Sequence, residues 1–309
     1  MRHILIDTDT ASDDAVALIM ALQYPDVKVE AITVVAGNVP VEMGIQNALY
    51  TCELCGVNVP VYRGAAKPLM RELETAQFVH GQDGMGDIGL DLQGRKEREG
   101  NAIDVIVDTI HKFEGELEII TLAPLTNIAL AILKDPSIVD KVKQCTIMGG
   151  IGEGVGNITP VSEFNIWVDP EAAKIVFESG MKMRMVGWDI SRKYATFNEE
   201  DSKKLRAIGT KLAHFTVDIQ KTLIEFAISV SQLAGFDLPD PIATAVALDP
   251  SLATRLEKHH VEVICHEGST RGQTVVDRRD ITKKPKNMEV VLEASREKFL
   301  EMLYQSLAD

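Results

Sequence analysis

Residues 5–18 read LIDTDTASDDAVAL and place four aspartates, Asp7, Asp9, Asp13 and Asp14, within eight positions. The apolar run Ile4 to Ile6 ahead of them reads as a short strand, and Ala15, Leu18, Ile19 and Leu22 recur behind them at helical spacing. The aspartates therefore fall at a strand-to-helix turn. Four like charges in one turn repel and raise one another's pKa. A helix N-terminus offsets only about 0.3–1 kcal/mol per charge, so a bound cation is the simplest explanation. Its ligands would all be oxygens, which suits a hard ion such as Ca²⁺ or Mg²⁺ and not zinc. Ser12, Asp13 or Asp14 could instead cap the helix. One cap would do that, and Asp7 and Asp9 would stay unexplained.

Outward from this turn, strands and helices alternate. Val29–Val35, Val59–Tyr62, Leu117–Thr121, Cys145–Met148 and Met183–Val186 read as strands. Val41–Leu54, Asn101–Phe113, Leu125–Leu133 and Pro170–Phe177 read as helices. Strands that are apolar throughout suit a parallel sheet covered on both faces. The expected fold is α/β, a doubly wound and mainly parallel sheet. Such sheets bind ligands outside the carboxyl ends of their strands, where the aspartates lie. Beyond Thr196 the pattern becomes mostly helical, with one long helix expected over Leu205–Leu233. A strand pair (Val261–Cys265, Thr274–Val276) and a C-terminal helix from Ser295 follow. With no repeat and no linker, residues 1–309 are expected to form one domain. The irregular stretch Arg63–Gly100 contains HGQDGMGD at 80–87, and a loop of that length suits a functional lid.

Acidic residues number 46 against 32 basic, a net charge of −14 with no basic block. This argues against nucleic acid or an anionic membrane as partner. No apolar run approaches the ~18 residues of a membrane span, and the first one stops at Asp7, too early for a signal peptide. A cytoplasmic protein is expected. Cys52 and Cys55 have redox spacing but no second pair, and they sit in a helical pattern with the look of buried thiols. No role is assigned to cysteine.

Acids and amides recur after the other strands: Asn38, Asn127, then Asn157, Glu163 and Asn165 behind Gly149-Gly150, and Asp240 before Pro241. Each alone could be a turn residue or a cap. Together around a metal they suggest a polyhydroxylated ligand such as a sugar. The sequence resembles the inosine–uridine nucleoside hydrolases, the ribonucleoside N-glycosidases. The opening aspartate motif, VAGN at 35–38, His80-Gly81, PLTN at 124–127, MGG at 148–150, EFN at 163–165, VDPEA at 168–172 and Asp240-Pro241 all fall in that family's order.

The resemblance implies Ca²⁺ held by Asp9, Asp14, Asp240 and the backbone carbonyl of Leu122, with Asp9 also the general base. It implies Asp13 and Asn38 on the ribose 2′- and 3′-hydroxyls, and Asn157, Glu163 and Asn165 mostly on its 5′ side. Asp7 would be a support and not a ligand. The substrate would be a small-molecule ribonucleoside and the assembly a homodimer or homotetramer. In base-nonspecific members a histidine before the late aspartate protonates the leaving base. Here that position is Pro239, which cannot donate a proton. His80 joins the substrate-binding residues, as a substitute acid or as a structural hydrogen bond. Phe78, Phe164, Trp167, Trp188, Phe226 and Phe236 are the candidates for stacking on a base, and the missing histidine leans the substrate towards purine ribosides. Two rivals remain. A haloacid-dehalogenase-like phosphatase would share the Asp7–Asp9 spacing, and a non-catalytic nucleoside-binding protein would keep the pocket without turnover.

Overall fold

The structure, a computed structural model, describes residues 1–230 and 235–308. Its strands are β1 (Arg2–Thr8), β2 (Val27–Val34), β3 (Val61–Arg63), β4 (Leu117–Thr121), β5 (Gln144–Met148), β6 (Met183–Val186), β7 (Thr196–Phe197), β8 (Phe236–Asp237), β9 (Ala253–His259), β10 (Val261–Val263), β11 (Thr274–Val276) and β12 (Met288–Ala294). Eight of them form the main sheet in the order β3-β2-β1-β4-β5-β6-β12-β9. All neighbours run parallel except β9, which is antiparallel to β12 at the edge. The chain steps outward from β1 to β3, then returns to the other side of β1 at β4. The order reverses between β1 and β4, and a crevice opens at such a point beyond the strand ends.

The helices are α1 (Ser12–Gln23), α2 (Val41–Leu54), α3 (Gln77–His80), α4 (Ala102–Lys112), α5 (Thr126–Lys134), α6 (Phe164–Val168), α7 (Pro170–Phe177), α8 (Trp188–Tyr194), α9 (Glu199–Arg206), α10 (Lys211–Asp218), α11 (Lys221–Ser229), α12 (Pro239–Leu248) and α13 (Arg296–Leu307). Alternate side chains of β1 enter opposite cores: Ile4 and Ile6 join α1, α2, α12 and α13, while Leu5 joins α4, α5 and α7. This is why the strand is apolar at consecutive positions. No described helix is long and apolar enough to cross a membrane. All four cysteines are free. Burial pushes the Cys52, Cys55 and Cys145 thiols up to about 12, which keeps them unreactive.

Three expectations change. The long helix over Leu205–Leu233 is three shorter ones, α9, α10 and α11; residues 231–233 of that expectation lie outside the described residues. Gly209 takes a left-handed φ of 84°, and the Thr210 side chain caps α10 through the Ala213 N–H. The C-terminal part is also less helical than expected, because β9 and β12 complete the main sheet. Arg255, Leu256 and Lys258 of β9 are exposed at the edge, so the strand lacks an apolar run. The segment at 80–87 is a packed turn and not a loose lid. Met85 is fully buried, and the Asp83 and Asp87 carboxylates accept four backbone N–H bonds within the turn.

Candidate active site

The carboxyl end of β1 delivers the aspartates. Asp7, still in the strand, is fully buried; its Oδ1 accepts from Thr33 Oγ1 at 2.6 Å and from Asn127 Nδ2 at 2.8 Å. It ties β1 to β2 and to the start of α5, which is the supporting role expected of it. Burial pushes its carboxyl up to about 7.

Beyond the strand the chain turns into α1, and the carboxyls of Asp13, Asp14 and Asp240 converge there. One oxygen from each lies within 4.8 Å of the others, and all three residues are buried. Asp14 Oδ2 accepts from the Ala11 N–H at 2.9 Å, while Oδ1 accepts from Thr8 Oγ1 at 2.6 Å. Asp14 sits in the first turn and bonds back to the N-cap residue Ala11, so one of its oxygens serves the helix start while the carboxyl also belongs to the acidic group. Asp240 arrives at the start of α12, with Pro239 and Pro241 fixing the backbone on either side. Asp9 lies against Asp14 and is held from the other side by Asn38, whose backbone N–H donates to Oδ2 at 2.5 Å and whose Nδ2 approaches Oδ1 at 3.3 Å. Gly37 permits this approach, since a Cβ there would overlap Asp9 Oδ2.

Of the expected ligands Asp14 and Asp240 fall in this group, Asp13 completes it, and Asp9 lies outside it, flanking Asp14. Burial is the first cause raising every one of these pKa values, and for Asp9, Asp14 and Asp240 the neighbouring carboxylates add to it. Asp13 and Asp14 are pushed up to about 6, and Asp9 and Asp240 well above the carboxylate range. Asp13 Oδ1 and Asp240 Oδ2 are buried without a hydrogen-bond partner among the described residues. An all-oxygen cluster with unpartnered atoms fits a hard divalent cation. The Leu122 carbonyl, at the end of β4, lines the same pocket and accepts from Asn165 Nδ2 at 3.0 Å.

A pH dependence follows. With folded-state pKa values raised, the metal-free folded chain binds protons more tightly than the unfolded chain, so its stability falls as pH rises through about 6. Metal ligands must be deprotonated. The rise in Tm on adding a divalent cation is therefore expected to be larger at pH 8 than at pH 5. Melting curves with and without the ion would check this, and a pH-independent rise would contradict the assignment of these ligands.

Above the carboxylates lies a cavity of about 390 Å³. Asp13, Asn38, His80, Asn157, Glu163, Asn165 and Asp240 all line it, so the structure brings most of the expected site residues together. Their engagements differ. Glu163 caps α6 and accepts three backbone N–H bonds, from Gly150, Asn165 and Ile166; burial still pushes it up to about 7. Asn165 links the ends of β4 and β5 through the Leu122 and Met148 carbonyls. Asn157 is exposed at the rim, where its Oδ1 accepts from the Phe164 N–H. His80 Nδ1 lies 2.9 Å from Ser12 Oγ, and burial drives its pKa down to about 4. Nδ1 also lies 3.7 Å from Asp13 Oδ1, so the ring bridges the start of α1 and the pocket.

Of the aromatic candidates, Phe78, Phe164, Trp188, Phe226 and Phe236 line the cavity. Trp167 does not; it packs under the Arg71 guanidinium. Phe78 and Phe226 meet edge to face at 5.6 Å, and Phe78 is 55% exposed, which places this pair at the mouth. Thr8, Asn47, Gln220 and Arg192 are residues that the sequence reading missed. Asn47 Nδ2 donates to the Thr10 and Asp83 carbonyls and Gln220 Nε2 to the Ser12 carbonyl, so α2 and the turn before α11 both brace the aspartate turn. No local motif marks such contacts.

Solved structures similar to this one include nucleoside hydrolases. A plant nucleoside hydrolase superposes with a TM-score of 0.93 at 31% identity, with 99% of each chain covered. A purine-preferring ribonucleoside hydrolase from Gardnerella vaginalis does so with a TM-score of 0.91 at 32% identity, covering 99% of this chain and 98% of that one. The chain itself belongs to the inosine-uridine preferring nucleoside hydrolase family, which it matches over residues 4–301. It is thus a hydrolase acting on N-glycosyl bonds, and the phosphatase alternative falls away. Among curated proteins, the pyrimidine-specific ribonucleoside hydrolase RihA of Escherichia coli is 36% identical over 306 residues, 98% of this chain and 97% of that protein.

Proposed function

We propose that the protein hydrolyses ribonucleosides to free base and ribose in a Ca²⁺-dependent reaction, with a preference for purine ribosides. The observation that carries this reading is the meeting of Asp9, Asp13, Asp14 and Asp240 under a pocket lined by Asn38, Asn165 and aromatic rings. Asp14 and Asp240, flanked by Asp9 and the Leu122 carbonyl, would hold the ion. Bound there, Ca²⁺ would supply fixed positive charge and orient the ribose hydroxyls and water.

The chain's own groups supply the rest. Asp9, clamped by Asn38, takes the proton of the attacking water. The water oxygen bonds to C1′ as the C1′–N bond breaks, with its electron pair passing to the base. The buried carboxylates favour the positive charge that develops on the sugar. Asp13, whose Oδ1 has no hydrogen-bond partner among the described residues and lies 3.7 Å from His80 Nδ1, is placed to accept from a ribose hydroxyl.

The purine preference rests on Pro239, which lines the pocket and cannot protonate a leaving base. Purines can take a proton at N7 from solvent, whereas uracil has no comparable ring nitrogen. A panel of ribonucleosides, with base and ribose measured separately, tests the reading. Inosine, guanosine or adenosine should be cleaved faster than uridine, and chelation should abolish turnover. Pro239→His should narrow the gap, with Ca²⁺ affinity measured on the same variant because Asp240 is the next residue. Equal rates on uridine and inosine in the wild type would defeat the preference, and no base release from any nucleoside would defeat the function.

A further inference from the structure

Among the described residues, Arg192 is the sole lysine or arginine lining the pocket. It extends from α8, and its Nη1 donates to Asp237 Oδ2 at 2.7 Å. Asp237 is buried, and its other oxygen accepts from Thr196 Oγ1 at 2.5 Å, so the carboxylate fixes the guanidinium. Trp188, one turn earlier on α8 and also lining the pocket, lies 5.9 Å from the guanidinium. Nε and Nη2 make no hydrogen bond within the described residues. Asp237 stands two residues before Pro239, so Arg192 is anchored to the segment whose expected proton donor is absent. The acids and amides that suit a ribose, Asp13, Asn38, Glu163 and Asn165, come from other strand ends.

We propose that Arg192 is the residue that reads the base. Its free donors hydrogen-bond the carbonyl oxygen remote from the glycosidic nitrogen, O6 of a 6-oxopurine or O4 of uracil. This rests on the hydrolase reading above and adds a substrate class to it. As the C1′–N bond breaks, its electron pair passes to the ring nitrogen and spreads to that oxygen. The guanidinium stabilises the oxygen most when the charge has arrived. The water proton goes to Asp9, and solvent supplies the departing base's proton, at N7 in a purine, as that charge builds. Adenine and cytosine carry an amino group at the same place. Its hydrogens would face the guanidinium donors, and donors left unpaired on both sides are costly.

The experiment compares kcat and KM of the wild type, Arg192→Met and Arg192→Lys on inosine, adenosine, uridine, cytidine and p-nitrophenyl riboside. In the wild type, inosine should exceed adenosine and uridine should exceed cytidine. In Arg192→Met, kcat/KM for inosine should fall about 10- to 100-fold more than for adenosine or for p-nitrophenyl riboside, whose phenolate needs no help to leave. Most of that loss should lie in kcat. Arg192→Lys, keeping the charge without the fork, should fall between. If Arg192 only ties α8 to β8, all five substrates fall together, and that result overturns the proposal. Should Arg192→Met not fold, the wild-type order and Arg192→Lys decide, and a wild type indifferent to oxo against amino overturns it. Equal cleavage of uridine and inosine would defeat the purine preference while the oxo–amino pairs still support or overturn Arg192. A wild type inert on all nucleosides defeats the hydrolase reading, and Arg192 with it.

Discussion

Asp9→Asn should lower kcat by about 10²–10⁴-fold, the usual cost of losing a general base, and change KM far less. The substitution is gentle on the surroundings. Asn38 holds Asp9 through its backbone N–H and its side-chain amide, and that amide can turn to present its oxygen to the new NH₂ group. An asparagine at position 9 keeps the volume and one oxygen but cannot take a proton at neutral pH. It also removes one of the like charges beside Asp14, so the melting temperature of the metal-free variant should not fall. Steady-state kinetics on inosine with melting curves on the same preparation give both readouts. A variant with near wild-type kcat would show that Asp9 is not the base.

Asp240→Ala should weaken Ca²⁺ binding about 100-fold or more, since affinity at such sites depends on the count of charged ligands. Its distinguishing sign is a crossover in stability. With the ion bound, the wild type should melt higher than the variant, because binding to the folded state adds stability. With the ion stripped, the order should reverse. Asp240 is buried against Asp13 and Asp14, its carboxyl pushed well above the ordinary range, and its removal relieves that repulsion. Paired melting curves in chelator and in Ca²⁺ decide it. A variant less stable than wild type in both conditions would mean that Asp240 serves the fold and not an ion.

The aspartate turn and the sheet around it were legible in the sequence because their signals are local. β1, β2, β4, β5 and β6 are apolar on consecutive positions since both faces are covered, and the acids sit in one short run. The edge strand β9 was not legible, because an exposed edge needs no apolar face. β12 was hidden by helix-forming residues, Met288, Glu289, Leu292 and Ala294, whose extended conformation is set by pairing with β6 and β9. In the site, Asp13 and Asp14 could be found by spacing and Asp240 by its place before Pro241, while the ligand roles of Asp240 and Leu122 entered through the family resemblance. Arg192 and Gln220 could not be found at all. Arg192 reaches the site from α8 and Gln220 from the turn before α11, neither with a motif, through contacts that exist only once these elements have packed.

Gly37 bears on how this protein could be lost as well as made. It has no side chain to donate, accept or carry charge, yet any side chain there would occupy the place of an Asp9 oxygen. The tightest constraint on it is therefore the place of the Asp9 carboxylate, with the Pro124 ring the next atom in the way. In a lineage that kept the fold but had no further use for the reaction, drift at this silent position would remove activity before any aspartate changed. A descendant with all four aspartates intact and alanine or serine at position 37 would look like an enzyme by its motif and behave as a fossil of one.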